Sequence, residues 1–166
     1  MVASGMSGIE DAFSGDRHFF FAFGAKAKPD ELVRGLGETF EVVNTNIKRW
    51  TVGSPIQAPL DSLYELIREH RIKASQVEQV TVTVGPHAAL TVDDRKMPDI
   101  NMQHMCAVML LDGTATFEAA HDEPRMRDKK TRDLRARVEL IGDAVWERQH
   151  PGRQGTVEVL LKDGTR

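Results

Sequence analysis

Apolar residues recur through the middle of the chain with two different periods. Ile56, Leu60, Leu63 and Ile67 are spaced by four, three and four, which puts them on one face of a helix ending near His70. Ahead of it, Ser54-Pro55-Ile56-Gln57 has the form of a capping box: the Ser hydroxyl accepts the third-residue N–H and Gln57 reaches back to Ser54. Pro55 suits the first helical position, where its missing N–H is not needed, and Pro59 removes one early hydrogen bond. Val80-Thr81-Val82-Thr83-Val84 alternates strictly, as a half-buried strand does, and Gly85-Pro86 stops it. Asp99 is then the expected cap of a helix over residues 100–111, with Met102, Met105, Cys106 and Met109 on its apolar side and Asp112-Gly113 at its close. The charge-dense residues 121–130 read as a surface loop leading into a helix over 131–135. Residues 137–141 and 156–161 alternate again and end the chain as two strands.

The residues before 54 are less regular. Phe13, Phe19, Phe20, Phe21 and Phe23, five of the seven phenylalanines, crowd together with no helical or strand period. Such an apolar load needs cover, from the chain's own core or from another domain or subunit. Residues 29–37 read as a short helix, with Pro29 in its first turn and Gly37 at its end. Residues 39–43 read as a strand and 46–50 as a second extended piece. Strands that are not tied one-to-one to helices predict an α+β fold: a two-layer sandwich with helices on one face of a largely antiparallel sheet.

Composition narrows the function classes. A chain of 166 residues, 40% apolar and 28% charged, suits one globular domain and excludes disordered, collagen-like and coiled-coil chains. Its formal charge of −3 gives no basic field to recruit nucleic acid. The single cysteine, Cys106, cannot form an internal disulfide and points to a reducing compartment. No apolar run approaches the roughly 18 to 20 residues of a membrane span, and the N-terminus has no basic-then-apolar leader. A soluble, cytoplasmic protein without membrane partners is expected.

Known catalytic signatures are absent: no Walker loop, no Gly-x-Gly-x-x-Gly, no His-Glu-x-x-His and no Gly-x-Ser-x-Gly. The histidines at 18, 70, 87, 104, 121 and 150 lack metal-ligand spacing, so neither metal nor cofactor is expected. Three positions carry candidate chemistry. Lys48 precedes the helix start at Gly53-Ser54, so an ammonium and a helix N-terminus can converge on one anion; the alternative is a solvated charge. Asp93-Asp94 can do acid–base work or form a self-paired loop. His104 can carry a proton near neutral pH or sit as an ordinary helix histidine.

Asn46-Ile47-Lys48-Arg49-Trp50, followed by Gly53-Ser54-Pro55-Ile56-Gln57-Ala58-Pro59-Leu60-Asp61, resembles the start of the smaller domain of the MmgE/PrpD family. That family includes 2-methylcitrate dehydratase, cis-aconitate decarboxylase and iminodisuccinate epimerase. Met97-Pro98-Asp99-Ile100-Asn101-Met102-Gln103-His104, then Asp112-Gly113 and Thr116-Phe117, agree in order and spacing, and Phe13-Ser14-Gly15 resembles the family's interdomain connection. The resemblance makes residues 1–28 a connecting segment and 29–166 the small α/β domain. In such enzymes a small polycarboxylate lies between a large helical domain and this lid, which supplies a lysine in an apolar-Lys-x-x-Pro pattern. Lys48 falls on that lysine, with Thr51 in the place of the proline. The resemblance therefore implies that Lys48 binds substrate and acts in catalysis, that His104 acts beside it, and that Gly53 and Ser54 contact a carboxylate. The implied reaction is dehydration, isomerisation or decarboxylation, by proton transfer next to a carboxylate and without a cofactor. Because the resemblance accounts for the chain as the lid alone, three roles are expected of it: a lid working with a separately encoded helical subunit or as a homo-oligomer, an inactive fragment, or a small anion-binding or dimerisation module.

Overall fold

A computed structural model describes residues 2–24, 26–147 and 154–166; His150, and Met1 and Ala25 of the 1–28 segment, lie outside the described residues. Its internal contacts divide the chain into two units, Met1–Asn46 and Ile47–Arg166.

In the first unit, Asp11 accepts hydrogen bonds from the Phe13 and Ser14 amides and from the Ser14 hydroxyl, fixing the turn before helix α1 (Phe19–Phe23). Phe13, Phe19 and Phe20 form a ring cluster with centroids 5.5–5.8 Å apart. The helix expected over 29–37 is only a 3-10 turn, Pro29–Leu32. Leu32, Val33 and Leu36 are exposed, so a longer helix has no face to bury, and Gly35 and Gly37 adopt positive φ. Residues 39–43 form no strand: Glu41–Asn44 is a 3-10 turn, and Phe40, Val42 and Val43 are exposed. A strand needs a neighbour for its backbone groups, and this segment pairs with none. Nor is there a strand over 46–50.

The second unit is built on helix α2 (Gln57–His70), which buries Leu60 and Leu63 completely, as does the preceding Ile56. Strand β1 (Val77–Val84) follows, longer than the alternation alone predicts. Gly85-Pro86 ends the strand and opens a further helix, α3 (Pro86–Val92). Helix α4 (Met102–Asp112) closes on Gly113 in the left-handed conformation. Its cap is Asn101, not Asp99: the Asn101 side chain accepts the His104 N–H at 2.8 Å, while Asp99 sits in a 3-10 turn, Pro98–Ile100. Helices α5 (Phe117–Ala120) and α6 (Lys129–Arg135) start at Thr116 and Asp128, whose side chains cap them. Strand β2 (Val138–Gly142), the short helix α7 (Ala144–Glu147) and strand β3 (Gly155–Leu161) complete the unit.

The fold is α+β, as the order of elements predicts. Its sheet is mixed, in the order β2-β1-β3, with β3 antiparallel and β2 parallel to the central β1. The parallel pair follows from the long crossover through α3 to α6, which returns the chain to the end of the sheet where β1 began. Val138, Val80 and Val159 line up across the three strands, as do Leu140, Val82 and Val157, and these rows form the inner face. The next row, Glu139, Thr81 and Glu158, carries polar groups on the other face. Helix α4 packs against α2, α6 and β2, and Asn101 through Leu110 are all buried. An apolar stripe was expected there, and a core helix stands in its place.

Candidate functional site

The Lys48–Gln57 segment is a closed, pinned loop. Its anchor is Trp50, which is buried; its indole Nε1 donates to Asp61 at 2.9 Å and its ring meets Tyr64 edge-on at 5.5 Å. The Arg49 guanidinium lies over both rings, 4.8 Å and 4.5 Å from their centroids, and pairs with Asp61 at 3.1 Å. The capping box expected at Ser54 does not form. Gly53 caps the 3-10 turn Ser54–Ile56, and the Gln57 N–H donates to the Ser54 carbonyl in place of its hydroxyl. Gln57 turns to the loop instead: its Oε1 accepts the Trp50 N–H at 3.1 Å, and its Nε2 donates to the Trp50 carbonyl at 2.7 Å and the Val52 carbonyl at 3.2 Å. Loop backbone groups left without a ladder outcompete the helix start for that amide.

Lys48 is exposed and closes the loop by donating from Nζ to the Val52 carbonyl at 3.1 Å. An ammonium has three donors, so two remain for an anion. Gly53 and Ser54 follow directly and are half-buried. The Gly53 amide donates to the Asp99 carbonyl at 2.8 Å, which occupies the N–H an incoming carboxylate would take. Lys48 and Ser54 thus belong to one short surface segment.

His104 does not share that surface. It lies inside the core with no accessible area, and neither ring nitrogen has a hydrogen-bond partner. Burial, reinforced by the positive charges of Arg135 and Arg125 and only partly offset by Asp122, holds its pKa down at about 4. The ring is neutral at pH 7. Cys106, one turn away from Met102 on the same helix, is buried too, and burial pushes its thiol up to about 12.

Asp93 and Asp94 line a separate cleft of about 530 Å³ with Gln103, Arg132 and Arg135. Their partners are already supplied. Gln103 donates to Asp93 at 2.6 Å and accepts the Asp94 N–H at 3.1 Å, and Arg135 pairs with the Asp94 carboxylate. No group of three metal-ligating side chains occurs among the described residues, and no helix among them is long and apolar enough to cross a membrane.

Gln57 is the residue the sequence reading missed. Its amide was expected to serve the helix start, and only the folded position of Trp50 and Val52 shows the competing use. With this geometry in place, comparison with known proteins adds one finding: the model of the MmgE/PrpD C-terminal domain matches residues 50–166. No curated protein matches the chain.

Proposed function

The chain belongs to the MmgE/PrpD family, and from that premise we propose that its second unit is the lid over a small polycarboxylate, with Lys48 as the cation that anchors one carboxylate. The observation that carries this reading is the exposed Lys48 ammonium, tied to the Val52 carbonyl by one N–H and with two more to offer. The Ser54 hydroxyl, which does not take the Gln57 N–H because the Ser54 carbonyl does, is the second contact on the same segment.

Proton removal from carbon beside a carboxylate, or loss of CO2 from that carbon, builds negative charge on the carboxylate that remains. A fixed ammonium stabilises the charge as it develops, which lowers the barrier to dehydration, isomerisation or decarboxylation alike. Lys48 plays that part. The proton-transferring acid and base come from a helical partner subunit, the other wall of the cleft in the enzymes this chain resembles. His104, neutral and sealed in the core, has no role in this scheme.

Two measurements test the proposal. The native mass of the protein, drawn gently from its host, should include a helical polypeptide; a lone monomer or homo-oligomer would remove the subunit from the scheme. In the assembled complex, Lys48→Ala should lower the rate at least about tenfold, the loss expected for one charged hydrogen bond to the reacting group. An unchanged rate would remove Lys48 from the chemistry.

A further inference from the structure

We infer that Gln57 is a positioning residue: it sets where the Lys48 ammonium stands. The inference rests on the reading of Lys48 as the carboxylate anchor and adds the residue through which the fold aims it. Gln57 is the first residue of α2, the helix held in the core by Leu60 and Leu63. Its side chain spans from that rigid base to three backbone groups of the loop, the Trp50 N–H, the Trp50 carbonyl and the Val52 carbonyl. The Val52 carbonyl is also the group that holds Lys48. One oxygen therefore receives both Nε2 of Gln57 and Nζ of Lys48, and the line from core to ammonium runs α2, Gln57, Val52, Lys48.

The chemistry of the position narrows it to an amide of this length. The Trp50 N–H needs an acceptor while the two carbonyls need donors, and one side-chain amide supplies both. A carboxylate has no donor and would face two carbonyl oxygens. An apolar side chain would take the partner from the Trp50 N–H and the Trp50 carbonyl and leave the Val52 carbonyl to Lys48 alone. Asp61 is the natural contrast, because it holds the same tryptophan by the indole and makes no hydrogen bond to the Val52 carbonyl.

The test uses the full chain with Gln57→Met, which keeps the length and bulk of the side chain, alongside Asp61→Ala and the wild type. Side-chain ammonium relaxation by 15N NMR reads the restraint on Lys48, and titration with tricarballylate reads the anion site. Wild-type Lys48 should be more restrained than exposed Lys96, and Gln57→Met should release it to that level while weakening tricarballylate binding about tenfold. Asp61→Ala should lower stability and do neither. Lys48 still restrained in Gln57→Met, or released equally by Asp61→Ala, would overturn the assignment. Lys48 released by Gln57→Met when even the wild type binds no tricarballylate would keep Gln57 as the positioning residue and sink the carboxylate reading instead. If Gln57→Met does not fold, the wild type decides: its Trp50 amide must exchange with solvent as slowly as the amides of α2, and exchange at an open-loop rate would refute the inference.

Discussion

His104 enters α4 as its third residue, and the fold offers its ring nothing to bind. A buried imidazole without partners resists a charge, and the cationic Arg135 and Arg125 add to the cost. The consequence for stability has a definite sign. Above pH 6.5 the ring is neutral whether the chain is folded or not, and it contributes no pH dependence. Between 6.5 and about 4 the unfolded chain takes up a proton that the folded one refuses, so stability falls on acidification. The loss is about 1.4 kcal/mol per pH unit and about 3 kcal/mol over the whole window. His104→Met keeps an apolar side chain in the core and removes the titration. Urea denaturation from pH 7 to pH 4 should show the wild type losing about 3 kcal/mol relative to this variant. Parallel curves for the two proteins would show that the ring charges at no greater cost in the fold than in the unfolded chain.

The elements show which parts of a sequence speak for themselves. Helix α2 and strand β1 were legible because each carries its own period, and burial in the structure follows the predicted faces: Ile56, Leu60 and Leu63 with Ile67 half-buried, then Val80, Val82 and Val84. Residues 39–43 have a strand composition and no strand, because pairing is a property of the neighbour and not of the segment. The parallel β1–β2 pair was hidden for a related reason: the direction in which a distant strand returns depends on the crossover. The cap of α4 was expected at Asp99, two residues too early. Asn101 holds the position by doing two jobs, accepting the His104 N–H and donating to the Arg95 carbonyl at 2.5 Å. Asn101→Ala strips the α4 cap and orphans a carbonyl beside it, and should cost about 2 kcal/mol. Asp99→Ala should cost less than about 0.5 kcal/mol, since its side chain caps nothing. Chemical denaturation of the two variants decides between them, and equal losses would return the cap to Asp99.

At the scale of the molecule, the residues alone offered Lys48 beside a helix start with a solvated charge as the alternative, and the family resemblance is what made it the candidate anchor. Gln57 gained its meaning from contacts across five to seven residues of folded loop. The same scale poses the question of where the domain begins. The resemblance sets a boundary after residue 28, the contacts divide at 46/47, and the family match starts at residue 50. Among the described residues, every buried apolar side chain of the core lies between Trp50 and Val159, and none comes from the first unit. A core drawn wholly from the second unit retains its hydrophobic term without residues 1–46. The 47–166 chain should therefore melt cooperatively within about 3 °C of the full chain when followed by circular dichroism. It keeps Lys48, Trp50, Val52 and Gln57 together, so the pinned loop travels with it. A fragment that melts broadly, or far below the full chain, would mean that the phenylalanine-rich first unit completes the fold, and would move the domain start back toward residue 29.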